Sequence, residues 1–157
     1  MSEIGLAPAV VHHSILVRKF ALQIADELAK VGHSVDRELV AASALLHDIM
    51  KMSAEFDHAI EGGELLKRRG FHPVAELVRK HALNNLDNPD FVPRTTEEKL
   101  LMYADLRVSG GGVVSLAERF DYIKRQYNPK DPDRFKGYQD FAYMLEDEFI
   151  EKLGDRI

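Results

Sequence analysis

Apolar residues along this chain recur at helical spacing nearly throughout, and strand-like alternation is almost absent. A first helix is predicted from about Ala9 to Val31, with the stripe Val17, Phe20, Ile24 and Leu28 inward and Gly32 as a left-handed cap. A second starts at Asp36 as N-cap, turns Leu39, Ala42, Leu46 and Ile49 inward and ends near Lys51. A third runs from about Ala54 to Arg69 and stops at Gly70, with Lys67, Arg68 and Arg69 in its last turn, where cations suit the helix dipole. His72-Pro73 opens a fourth, which carries Val74, Leu77, Val78 and His81 on one face.

Asn84 to Pro93 is a loop rich in Pro, Asn and Asp. A fifth helix follows from about Thr95 to Val108, with the stripe Leu101, Ala104, Asp105 and Val108. Ser109-Gly110-Gly111-Gly112 is a flexible break; with no Lys-Ser/Thr after it, it is not a phosphate loop. The sixth helix spans Val114 to about Gln126, and Asn128 to Phe135 is a connector. A last amphipathic helix carries Tyr138, Phe141, Leu145, Phe149 and Leu153. The fold class expected is all-α, a compact bundle of about seven helices with no sheet. Residues 1–157 are expected to form a single domain, with residues 128–157 as linker and C-terminal helix.

Composition narrows the chemistry. The chain has 157 residues, 45% hydrophobic and 30% charged, as in ordinary globular proteins. A net charge of -5 offers no global attraction to nucleic acid or an anionic membrane. There is no cysteine, which excludes disulfides, thiolate metal sites and a cysteine nucleophile. No apolar run is long enough to span a bilayer and no leader-like segment opens the chain, so a cytoplasmic location is expected.

The histidines carry the chemical signal. Of seven, His13, His47, His58 and His81 fall on or beside the apolar stripes of successive helices; Asp48 follows His47, and Asp105 interrupts the apolar face of helix five. Burying a carboxylate without a partner is costly, and four imidazoles with two carboxylates in one core need a shared compensation. A divalent cation supplies it, because both groups ligate such ions well. His12 lies about 100° round the helix from His13, and only His13 shares the face of Val17, Phe20 and Ile24. Asp48, with two oxygens, can bridge two ions. Lys51, one turn beyond His47, lies on the same side of the helix.

Ala44-Leu45-Leu46-His47-Asp48-Ile49-Met50-Lys51 resembles the signature of the HD-domain metal-dependent phosphohydrolases. His13-Ser14-Ile15-Leu16-Val17 is similar to that family's first-helix motif, and Tyr103-Ala104-Asp105 to its closing aspartate. His58, followed by Gly62 and Leu65-Leu66, and then His81 resemble the additional histidines of the dinuclear, six-ligand subgroup. The resemblance covers about residues 10–127; Met50 departs from it, standing where the usual signature has glycine.

The resemblance implies one metal on His13, His47, Asp48 and Asp105, and a second on His58 and His81 with Asp48 as bridge. The ions would be one or two divalent cations drawn from Mn, Fe, Co, Ni, Zn and Mg. It further implies hydrolysis of a phosphate ester or anhydride, in a nucleotide or related phosphorylated metabolite, by a metal-activated water. Asp48 and Lys51 are the candidate catalytic residues, and Lys51 also the candidate substrate-binding residue. Two alternatives share the ligand types: a diiron HD-fold oxygenase, and a nucleotide-sensing domain without catalysis.

Overall fold

A computed structural model describes residues 5–52 and 57–156. Seven α-helices occur among them: α1 (Pro8–Lys30), α2 (Arg37–Leu46), α3 (His58–Arg68), α4 (His72–Arg79), α5 (Thr96–Leu106), α6 (Leu116–Tyr127) and α7 (Pro132–Leu153). The all-α expectation holds with one correction. Val108–Ser109 and Gly112–Val113 pair antiparallel as a two-residue ladder, β1 and β2, where a flexible break without a sheet was expected. Gly110 and Gly111 both have positive φ, at 60° and 90°, the backbone a two-residue hairpin turn needs.

Local chemistry sets most helix ends. Gly32 and Gly70 take φ of 88° and 85° after α1 and α3. Asp36, Asp57 and Asp131 cap α2, α3 and α7 through their carboxylates. Thr95 and Ser115 open α5 and α6 in reciprocal capping boxes with Glu98 and Glu118. The expected start of the third helix at Ala54 lies outside the described residues.

Two helices end earlier than periodicity predicts. α2 stops at Leu46 rather than near Lys51, and His81 lies beyond the last residue of α4 instead of on it. In both places a histidine side chain supplies the reason. His47 Nδ1 bonds the Ala44 carbonyl at 2.7 Å, and His81 Nδ1 bonds the Val78 carbonyl at 2.6 Å. Each occupies an acceptor at a helix C-terminus that a further turn would otherwise use. The chain from His47 to Met52 then runs in tight turns, with Ile49 N–H donating to Leu46 O and Lys51 N–H to Asp48 O.

The α2 register also differs. Its fully buried positions are Val40, Ser43 and Ala44, followed by His47, while Leu39, Ala42 and Leu46 are only half-buried. The i, i+3, i+4, i+7 stripe therefore includes the histidine, and leucine content misleads because Val40, Ser43 and Ala44 are the helix positions that bury completely. The main core joins α1, α2, α5, α6 and α7 through Ile24, Val40, Leu101, Phe120 and Leu145. Tyr103, also fully buried there, donates its hydroxyl to Glu146 Oε2 at 2.7 Å; Arg107 contacts that hydroxyl and donates from Nε to Val114 O at 2.5 Å. These bonds tie the end of α5 to α7 and the hairpin.

A smaller cluster of Leu66, Ala75 and Val78 joins α3 to α4. Their approach is set by glycine: a Cβ on Gly63 would stand 2.7 Å from Arg79 Cβ, and one on Gly62 3.2 Å from Val78 Cγ1. Gly137 in α7 faces open space. Gly63→Ala is expected to cost about 1–3 kcal/mol through overpacking. Gly137→Ala should add about 0.5–1 kcal/mol by restricting the unfolded chain and favouring helix. Chemical denaturation of the two variants beside the wild type tests both signs.

Glu98 joins two segments next to the site. Its carboxylate accepts from Arg94 N–H (2.7 Å), Thr95 N–H (3.2 Å) and Lys80 Nζ (3.0 Å). Burial pushes its pKa up, but these donors outweigh burial and hold it below the usual value. The stabilisation is thus present above the unfolded-state pKa and lost as pH falls through the depressed folded one. Glu98→Gln should cost about 1–3 kcal/mol at neutral pH, and its deficit relative to wild type should shrink in acid. Urea unfolding across a pH series measures this.

Candidate metal centre

Six side chains, from three helices and from the turns after two others, converge at one place. His13 comes from the buried side of α1; His12, its neighbour, is exposed. His47 and Asp48 follow α2, His58 opens α3, His81 follows α4 and Asp105 lies near the end of α5. The imidazoles form a chain of neighbours, with centroid separations of 5.5 Å for His13–His47, 5.0 Å for His47–His81 and 5.1 Å for His81–His58.

Ligating atoms fall into two groups. One atom each from His13, His47, Asp48 and Asp105 lies within 4.8 Å of all the others, and the same holds for Asp48, His58 and His81. Asp48 belongs to both, and its two oxygens divide between them. Oδ2 lies 3.3 Å from His47 Nε2 and 3.9 Å from His13 Nε2. Oδ1 lies 3.3 Å from His58 Nε2 and 3.5 Å from His81 Nε2. Asp105 Oδ1 completes the first group at 2.8 Å from His13 Nε2 and 3.2 Å from His47 Nε2.

Electrostatics favour a cation here. Burial raises the pKa of Asp48 and of Asp105, yet the surrounding imidazoles more than reverse it and both carboxyls stay ionised. Burial likewise pushes His47 down, but Asp105 and Asp48 lift it to about 10. His81, with the same burial and weaker support from Asp48, is pushed below its ordinary value.

The donor set fits a divalent metal. Nε2 of His47, Nε2 of His81 and Oδ1 of Asp48 are buried and have no hydrogen-bond partner among the described residues. Because Nδ1 of each histidine is committed to a backbone carbonyl, Nε2 is the nitrogen presented to the cluster, the arrangement that fixes a ligating imidazole. Orphaned buried polar atoms of this kind are rare in folded proteins; an ion at the first group would satisfy His47 Nε2, and one at the second His81 Nε2 and Asp48 Oδ1.

Residues 10–108 match the family model described as the HD domain. The chain belongs to the HD-domain family. Among curated relatives of this HD-domain protein is a tRNA (cytidine(56)-2'-O)-methyltransferase of Picrophilus torridus, 35% identical over 124 residues, covering 71% of this chain and 35% of that one. A protein of Methanocaldococcus jannaschii with no assigned activity is 28% identical over 135 residues, 78% of this chain and 80% of that one. The dihydroneopterin 2',3'-cyclic phosphate phosphodiesterase of M. jannaschii is 34% identical over 113 residues, 61% of this chain and 44% of that one. The chain thus spans about a third of the methyltransferase's length and under half of the phosphodiesterase's. No solved structure matches at a significant level.

The HD-domain site opens on a cavity of about 610 Å³. Lys51, His58, His81 and Asp105 line one part of it, and Leu83 and Asn84 reach it from the turn after α4. Lys51 sits in a turn, not on a helix, with Nζ 4.0 Å from Asp48 Oδ1. The rest comes from α6 and the start of α7, including Arg119, Arg134 and Tyr138. The Gly110–Gly112 turn does not line the cavity, and α6 does, through the i, i+4, i+8 row Arg119, Ile123 and Tyr127. Lys80, beside His81, is largely buried against Glu98.

Second, outer contacts hold the His58–His81 part together. Asp57 Oδ1 accepts from the N–H groups of Ala59 and Ile60, while its Oδ2 accepts from Asn84 Nδ2 at 2.7 Å. One carboxylate thus caps the helix that starts at His58 and fastens it to the turn after His81. No helix among the described residues is long and apolar enough to cross a membrane.

The geometry of α1 gives a direct test of the site. His13→Ala should lower bound divalent metal in the purified protein, as measured by elemental analysis, because Asp105 and Asp48 lose a shared partner. His12→Ala should leave metal content at the wild-type level. The opposite pattern would reassign the α1 ligand.

Proposed function

We propose that this HD-domain protein is a metal-dependent phosphohydrolase that cleaves a phosphate ester or anhydride of a nucleotide or related phosphorylated metabolite. The observation that carries the reading is the division of Asp48, one oxygen toward each group of imidazoles, beside a cavity that Lys51 also lines. In this reading His13, His47, Asp48 and Asp105 hold one divalent ion, and His58 and His81 hold a second with Asp48 shared. When bound, such ions lower the pKa of water and neutralise charge on phosphoryl oxygens.

The chain's own groups supply the rest. The backbone carbonyls of Ala44 and Val78 keep His47 and His81 in one tautomer and orientation. Lys51, half-exposed at the edge of the cavity, places its ammonium where a non-bridging phosphate oxygen can accept from it. The lining offers apolar surface at Leu83, Ile123 and Phe135 for the body of a small substrate. The likeness to a cyclic phosphate phosphodiesterase supports hydrolysis over oxygen activation, which the same ligand types could serve.

The test is a screen of metal-loaded protein, with and without oxygen, against phosphomonoesters, phosphodiesters, nucleoside polyphosphates and cyclic phosphates. Phosphate or phosphomonoester release under anaerobic conditions is expected; oxygen consumption without hydrolysis would give the site to the oxygenase reading. Asp48→Ala should abolish turnover and deplete both ions, whereas His58→Ala or His81→Ala should deplete one. Lys51→Ala should reduce kcat/KM by about tenfold to a hundredfold, below the loss for a fully enclosed donor because the side chain is partly solvated. Its metal content should match the wild type.

A further inference from the structure

The cations that line the cavity are not equivalent. Arg134 is committed, donating to Asp87 Oδ2 at 2.7 Å and to Asn84 O at 3.3 Å. Lys51 faces Asp48. Arg119 and Lys130 also line the cavity, and neither makes a side-chain hydrogen bond or an ion pair among the described residues. Lys130 is exposed, so water can satisfy it. Arg119 is half-buried, and its Nε is fully buried without a partner.

An unpaired buried N–H donor costs about 1–3 kcal/mol. Arg119 Cζ lies 5.9 Å from the centroid of the Tyr122 ring on its own helix, and an aromatic face does not replace an acceptor for Nε–H. Arg119 also makes no ion pair with Asp48 or Asp105, although Asp105 shares the cavity, so it stands apart from the six-residue cluster. A cavity of about 610 Å³ exceeds what a single phosphoryl group needs and falls in the range for small-molecule ligands. Guanidinium is the side chain best shaped to take two phosphate oxygens at once.

We propose that Arg119, assisted by Lys130, determines specificity by binding a second phosphate of the substrate, distinct from the phosphate processed at the His/Asp site. The substrate class is then a small molecule with two separated phosphate groups, such as a nucleoside bisphosphate. This rests on the phosphohydrolase reading for which group reacts, and not for the binding itself.

Calorimetric titration of the metal-loaded protein with adenosine 3',5'-bisphosphate and adenosine 5'-monophosphate tests it. Wild type should bind the bisphosphate at least about tenfold more tightly, the scale of one charged hydrogen bond. Arg119→Gln should erase most of that preference, and Arg119→Lys should keep part of it, with metal content and melting temperature followed in parallel. Equal affinity of the wild type for both ligands overturns the proposal, as does a preference that survives in Arg119→Gln. Failure of both variants to fold also overturns it, by making Arg119 a structural residue paired within the chain. A preference that depends on Arg119, without phosphate release from either ligand, supports this inference while removing the phosphohydrolase reading.

Discussion

Asp48 is a carboxylate with 5% of its surface exposed, at the meeting point of four helices. Taking such an ion out of water costs several kcal/mol unless positive charge and hydrogen bonds surround it. Four imidazoles from α1, α3 and the turns after α2 and α4 answer that cost, and each has to be delivered by an element whose own packing holds it there. The bundle is accordingly organised around one buried negative charge, with Asp105 as its second pole. His47 is the chain neighbour of Asp48, but the other three rings reach it from α1, α3 and the turn after α4.

The supports around the cluster follow the same logic. Glycines at 62 and 63 let α3 lie against α4, which keeps His58 and His81 as ring neighbours. Glu98 fastens Lys80, next to His81, to the start of α5, whose far end carries Asp105. Arg107 and Tyr103 then fix that far end against α7 and the hairpin. Buried polar networks of this kind are rigid when every member is paired. Of the buried side-chain atoms left unpaired among the described residues, those of His47, Asp48 and His81 belong to the candidate metal positions and that of Arg119 to a residue lining the cavity, whereas Ser43 and Asn85 belong to neither.

Much of the helical architecture was legible in the chain because caps, glycines and apolar periodicity agree: Gly32, Gly70, Thr95 and Asp36 all mark ends where the structure has them. Periodicity failed where side chains competed with the backbone. His47 and His81 take carbonyls that a longer helix would use, and nothing in the apolar pattern announces this. The α2 face was misread because Val40, Ser43 and Ala44 bury more completely than the adjacent leucines. Composition singled out His13, His47, Asp48, His58, His81 and Asp105 because charged and imidazole groups interrupting apolar stripes are conspicuous. Arg119 was invisible for the opposite reason: arginine on an amphipathic helix is ordinary, and only the tertiary path of α6 brings it to the cavity.

The clamp made by Asp57 has a consequence for how the molecule assembles. Asp48, His58 and His81 lie within one stretch of chain, and Asp57 caps the helix that starts at His58 while holding Asn84, 27 residues on, beyond His81. His13 and Asp105 meet only when segments ninety-two residues apart come together. Loop-closure entropy makes the second event the harder one to nucleate, and contacts of low sequence separation form faster. By the same measure α1 and α2, consecutive helices on a short connection, are as local a pair as α3 and α4. The contact that sequence separation makes slowest to form is the one between Asp105 on α5 and His13 on α1, which closes the cluster across its two halves.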